Sequence, residues 1–231
     1  MRKVVGLIIA ALALAALAQV VIVYAPRPAN RISPAQEQGS GAQLTIAQLH
    51  DQTPAYAVDA QYPQFGISAI DAQIRQAVEQ AVAEFESLTP NSPPPAGGSA
   101  AAQSQFTGTF DKVYAGPDTV SLELILSQYT GGAHPMTLFA GLNFDRATGR
   151  LLQLDDALNL IGKTVQEVSD AASAQFREEF GDAFFSEGAT DNPENFSSFI
   201  ISSDEVTFIF QQYQVAAYAA GAQEVSFQRV R

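Results

Sequence analysis

Apolar positions change their period several times along the chain. Residues 4–25 form a continuous apolar run, broken by Gln19 and preceded by Arg2 and Lys3. About 20 such residues cross a bilayer as a helix, so residues 1–25 read as a signal-anchor. The two basic residues favour a cytoplasmic N-terminus, with the body of the chain in the periplasm or at the cell exterior. A cleaved secretory signal stays open as the alternative, because Ala16-Leu17-Ala18 fits a small-residue cut site. Periodicity then disappears. The stretch PRPANRISPAQEQGSGAQ has too little apolar content to pack, and residues 26–53 are expected to be a flexible stalk.

From residue 54 to 231 the pattern is that of one domain. AYAVDAQYPQF alternates and predicts a strand over 55–65. The next segment carries Ile70, Ile74, Ala77, Val78, Ala81, Val82, Phe85 and Leu88 on one helical stripe, and Ser68 with Asp71 resembles a capping box. Residues 89–104 contain Pro93-Pro94-Pro95 and Gly97-Gly98-Ser99, and are expected to be a mobile loop within the domain. Period two follows. Val120, Leu122, Leu124 and Leu126 mark one half-buried antiparallel strand, and Met136, Leu138, Ala140, Leu142 and Phe144 mark another. The turn DRATG ends the second, with Gly149 suited to positive φ. A second helix is expected over 165–180, with Thr164 and Glu167 as a capping box and Gly181 as its stop. Short strands near 198–202, 206–210 and 225–231 close the pattern. The expected fold is α+β: an antiparallel sheet with two packed helices.

Composition narrows the function. The chain has no cysteine, which excludes disulfides and thiolate metal sites. Its formal net charge is −12, which argues against nucleic acid, a ligand that calls for a basic face.

The segment LSQYTGGAHPMTLFAGLNFDRATGRLLQLDDAL, residues 126–158, resembles the extracytoplasmic domain of RsiV-type lysozyme-sensing anti-sigma factors. The shared features are the YTGGAH run, Asn143-x-Asp145, the Thr148-Gly149 turn and the following Leu-x-Asp-Asp. FIFQQYQVAAYAAG, residues 208–221, resembles the second signature of that domain. The front part, with YPQF before a helix, is similar to the region beside that domain in PdaC-type peptidoglycan deacetylases. The chain departs from both groups. Three residues before the apolar run cannot hold a sigma factor, and nothing supplies a metal-dependent deacetylase domain. The resemblance therefore implies an envelope-facing module associated with cell-wall glycan or with lysozyme-like wall enzymes.

Candidate chemistry gathers in two places. Around YTGGAHP, Gly131 and Gly132 can bring backbone amides near a ligand, with Tyr129, Thr130 and His134 as contacts. The bland reading is a wide hairpin turn in which His134 makes a backbone hydrogen bond. A catalytic reading makes His134 a general base helped by Asp145 or Glu123, but no activated serine or cysteine accompanies it. A metal reading fails for want of ligands near His134 and His50. Tyr213 and Tyr218 form the second candidate, against a reading as half-buried sheet aromatics. The acids Glu178, Glu179, Asp182 and Glu187 read as a solvated helix end that could attract a basic partner. Asp155 and Asp156 read as an N-cap and a first-turn acid. No catalytic residue, metal or cofactor is assigned. The expected function is a membrane-tethered binding module. An envelope hydrolase working through His134 and a structural partner using the acidic face remain as alternatives.

Overall fold

The computed structural model describes residues 44–89 and 103–230. The expected signal-anchor, most of the stalk and most of the Pro/Gly-rich loop lie outside these residues. Among the described residues no helix is long and apolar enough to cross a membrane.

Among the described residues, eight strands and three α-helices follow in the order β1 (Thr45–Gln52), β2 (Tyr56–Gln64), α1 (Ser68–Leu88), β3 (Ser104–Ala115), β4 (Thr119–Tyr129), β5 (Met136–Asp145), α2 (Leu154–Ile161), α3 (Val165–Phe180), β6 (Phe199–Ile201), β7 (Glu205–Phe210) and β8 (Gln223–Gln228). One sheet has the order β1-β2-β3-β4-β5 and the other β6-β7-β8. The chain forms two compact units. The first holds residues 44–89, 103–111 and 124–138; the second holds 112–123 and 139–230. Strands β3, β4 and β5 each run through both.

In the first unit, β1 pairs antiparallel with β2 from Thr45↔Gln64 to Gln52↔Ala57. Ordered structure thus begins within the stretch expected to be stalk. Strand β2 pairs with β3 in parallel, from Tyr56↔Ser104 to Ala60↔Gly108. The sheet is therefore mixed rather than wholly antiparallel. The reason is the connection: a helix stands between β2 and β3, and a helical crossover returns the chain in the same direction. Helix α1 buries Ile70, Ile74, Val78, Ala81, Val82 and Phe85 of its stripe, whereas Leu88 at its last position is exposed. Phe85 meets Phe106 at 5.6 Å and Tyr56 edge-on at 5.8 Å. The Ser68–Asp71 capping box does not form. Ile67 is the N-cap, without a side-chain cap bond, and the Asp71 carboxylate accepts instead from the Phe65 amide at 2.7 Å. Ser68 is already helical, so its hydroxyl is one residue too late to cap.

The second unit has a phenylalanine-rich core between α3 and the three-stranded sheet. Phe176 stands edge-on to Phe210 at 4.8 Å, and Phe196 does the same to Phe208 and Phe210 at 5.7 and 5.6 Å. Helix α3 has the expected capping box, with Thr164 N donating to Glu167 at 2.8 Å. Helix α2 begins where Asp155 and Asp156 read as a helix start, although periodicity alone sets no helix there. With two turns it is too short to show a stripe. Its N-cap is Gln153, whose amide donates to Asp156 at 2.8 Å, so Asp155 is a first-turn acid and not the cap.

Strand β4 differs from the half-buried expectation on both faces. Ser121, Glu123, Ser127 and Gln128 are buried along with the leucines. In the second unit the polar side is used internally. Ser121 Oγ donates to Asn143 Oδ1 at 2.5 Å, and both oxygens accept from the Ile201 amide. Glu123, 3 % exposed, faces the Lys112 ammonium at 3.7 Å.

Candidate functional site

The loop between β4 and β5 is closed by its own bonds. Tyr129 donates its hydroxyl to the Gly132 carbonyl at 3.0 Å. His134 Nδ1 lies 2.7 Å from the Pro135 carbonyl. Gly131 and Gly132 take φ of 102° and 123°, values that side chains disfavour. A Cβ on either would meet nothing within 4 Å. The glycines are required by the backbone path and not by a crowded neighbour. Thr130, Gly131 and Gly132 are exposed, while Tyr129 and His134 are half-buried. The two acids considered as helpers of His134 have other partners. Glu123 is paired with Lys112, and Asp145 Oδ1 accepts from Thr148 N and Oγ1 at 2.8 and 2.7 Å. Those Thr148 bonds, the hydroxyl first, hold the Asp145 carboxyl below its ordinary range.

The segment 211–221, in the second unit, is built differently. Two glutamines anchor it. Gln211 pairs its amide with the Phe139 backbone, accepting from N at 2.9 Å and donating to O at 2.8 Å. Gln214 is buried, donates to the carbonyls of Gly188 and Asn195 at 2.9 Å each, and accepts from the Gln211 amide at 2.8 Å. A turn closes from Gln214 N to Gln211 O at 3.0 Å. Its third residue, Tyr213, has φ of 65°, where turns ordinarily place Gly or Asn. An L side chain there costs about 1–2 kcal/mol. Tyr213 is nevertheless 49 % exposed, with its ring 5.4 Å from that of Tyr218 at 38°. Burial raises the Tyr218 hydroxyl above its ordinary pKa, partly offset by a bond with Gln212. Phe185, 41 % exposed, joins the same segment through its amide on the Val215 carbonyl. Tyr213 and Tyr218 are thus brought together as a ring pair at the surface. Sequence reasoning named the two tyrosines but missed the glutamines that fix them; Gln211 and Gln214, on either side of Tyr213 just after an apolar strand, are the signal that was there to read.

Two cavities border the second unit. The larger, about 430 Å³, is lined by Asp118, Thr119, Asp145, Leu152, Asp156, Asn159, Leu160 and Arg229. The other, about 290 Å³, lies by Ser203, Asp204, Gln228, Arg229 and Val230. Among the described residues no three His, Asp or Glu side chains gather in a group that could hold a metal ion. The acids Glu178, Glu179, Asp182 and Glu187 are all exposed.

Comparison with known proteins sets this chain beside two families, each matching less than half of it. Residues 155–229 match the family described as protein of unknown function (DUF3298), and residues 49–137 match the family described as deacetylase PdaC. Among individual proteins, the chain is similar to peptidoglycan-N-acetylmuramic acid deacetylase PdaC of Bacillus subtilis. The two are 24 % identical over 190 residues, covering 80 % of this chain and 40 % of that enzyme. The chain therefore spans well under half of its relative's length. Among solved structures, a DUF3298 family protein from Pseudomonas aeruginosa superposes with a TM-score of 0.52 at 18 % identity, over 82 % of this chain and 91 % of that one. A DUF3298 member from Bacteroides fragilis does so with 0.54 at 17 % identity, over 81 % and 90 %. These two share the fold. The segment that carried the first resemblance, 126–158, lies about half within the two family matches and half between them.

Proposed function

We propose that this protein is an envelope-facing binding module that recognises cell-wall glycan, held at the membrane by residues 1–25. The observation that carries the reading is the Tyr213–Tyr218 ring pair at the surface, on a segment anchored by Gln211 and the buried Gln214, with Tyr213 held in a left-handed conformation. Sugars stack their C–H faces on such rings, and a rigid aromatic surface loses little entropy on binding. Backbone strain of this kind gathers where a side chain must be presented. The similarity to a protein that acts on peptidoglycan supports the choice of ligand class, and the likeness to lysozyme-sensing domains belongs to the same reading. The loop residues Tyr129, Thr130, Gly131, Gly132 and His134 form a second candidate contact. Their self-closed hydrogen bonding gives them less support than the tyrosine pair.

Calorimetric titration of the purified protein with soluble peptidoglycan fragments tests this. Saturable binding is expected, lost in Tyr213→Ala and retained in Tyr129→Ala. Binding lost only in Tyr129→Ala moves the site to the Gly-Gly loop. Binding to a c-type lysozyme and not to glycan, weakening steeply with salt, moves the function to recognition of a cationic protein by the acidic surface.

A further inference from the structure

The 430 Å³ cleft of the second unit carries both signs of charge without joining them. Arg229 is its cation. The guanidinium donates Nη1 to the Ser202 carbonyl at 2.8 Å and, more weakly, to that of Ser203 at 3.4 Å. Among the described residues no carboxylate lies within salt-bridge distance of it. Asp204 is the acid beside it in the chain turn, but its Oδ1 accepts from the Ser202 and Ser203 hydroxyls at 3.2 and 3.1 Å. Arg229 thus keeps donors of its planar fork for a ligand.

The acids of the cleft sort into two kinds. Asp156 is neutralised by a two-pronged pair with Arg150 at 2.8 and 2.9 Å. Asp145 is fixed in its ionised form by the Thr148 bonds, and Asp118 is exposed at the turn between β3 and β4. Neither has a cationic partner among the ion pairs of the described residues. Leu152 and Leu160 supply apolar wall, and Asn159 an amide. The cavity is of the size that holds small molecules. Charges of both signs in one cleft of this volume suit a small ligand that carries both.

We propose that this cleft binds a zwitterion of dipeptide size, with its carboxylate on Arg229 and its ammonium toward Asp118 and Asp145. The proposal does not depend on the glycan reading, since it concerns other residues and another ligand class.

The test is a nuclear magnetic resonance titration of the whole protein with Ala-Ala. Two blocked probes accompany it: the C-terminal amide, which lacks the carboxylate, and the N-acetyl form, which lacks the ammonium. Affinity on the order of millimolar is expected for so small a ligand. Saturable shifts should appear at the Asn159 side-chain amide and at the Leu152 and Leu160 methyls. Both blocked probes should bind about tenfold more weakly, or worse, as loss of a charge-assisted contact implies. Arg229→Gln should abolish Ala-Ala binding and Asp118→Asn should weaken it. Arg229 also supports two carbonyls, so Arg229→Lys is the second variant: it keeps the charge, loses the fork, and should weaken binding with the rest of the spectrum unchanged. Absence of saturable shifts with the wild-type protein, equal binding of the amide, or shifts confined to other residues would each overturn the proposal.

Discussion

At the scale of single residues, Tyr213 is the clearest separation of stability from function. Asn tolerates the left-handed conformation that Tyr213 holds. Replacing Tyr213 by Asn relieves about 1–2 kcal/mol of backbone strain and loses a ring pair worth about 0.5–1.5 kcal/mol. The thermal midpoint should therefore move by little, while glycan binding falls below detection; calorimetry on both counts checks it. A midpoint that drops sharply would make the tyrosine a structural residue. The two tyrosines were visible in the sequence as aromatics in a glutamine-rich segment. Their exposure was not, because it depends on a turn whose third residue breaks the usual preference. Asn143 is the converse case. It stood in the sequence as a motif residue, yet it is 1 % exposed and donates to the Phe199 carbonyl at 2.7 Å while accepting from Ser121 and Ile201. A motif can mark a clamp between strands as readily as a ligand contact.

Among the elements, the approach of β5 to β6 is a tight constraint. A Cβ added to Gly141 would come to 1.9 Å from the Phe199 carbonyl oxygen and 2.8 Å from its nitrogen. Both are backbone atoms, and no rotamer change relieves them. Gly141→Ala should therefore cost roughly 3 kcal/mol or more, read as a lowered denaturant midpoint, whereas Gly131→Ala meets only the conformational penalty. The long elements were legible because their periods are strong: the stripe of α1 and the alternation of β4 and β5 stand in the sequence. The start of α1 was not, since Ser68 mimics a cap from inside the helix, and of α2 only the acids of its first turn were legible, since two turns show no stripe. The parallel pairing of β2 with β3 is a tertiary fact, set by the crossover and not by either strand's own pattern. In β4 the polar positions looked solvent-facing because alternation cannot tell water from a buried hydrogen-bond partner.

For the whole molecule, acidity governs the response to pH. Three carboxyls sit below their ordinary range: Asp145 through the Thr148 hydroxyl, Asp156 through the Arg150 guanidinium, and Glu167 through the Thr164 amide. Each is depressed in the folded state. Its contribution to stability is thus complete above the ordinary carboxylate pKa of about 4 and is lost as pH falls through the folded value. The thermal midpoint should be level from neutrality down to about pH 5 and decline below about pH 4. Salt should change it little at neutral pH, because the bonds concerned are short-range. A midpoint that rises on acidification would mean that self-repulsion of the −12 chain outweighs these bonds. At this scale the net charge was legible in the sequence. Arg229 was not, since a lone arginine near the end of an acidic chain looks like ordinary surface charge until the cleft around it is seen.

The second unit takes residues 112–123 from the middle of the chain before resuming at 139. Those residues include Ser121 and Glu123, partners of Asn143 and Lys112. Any cut placed between the two matched regions would carry that borrowed hairpin away with the wrong half. Gene fusion or truncation can therefore move residues 44–230 as a block but should not separate the halves at residue 138. For anyone trading this module between larger proteins, the unit of exchange is the interleaved pair.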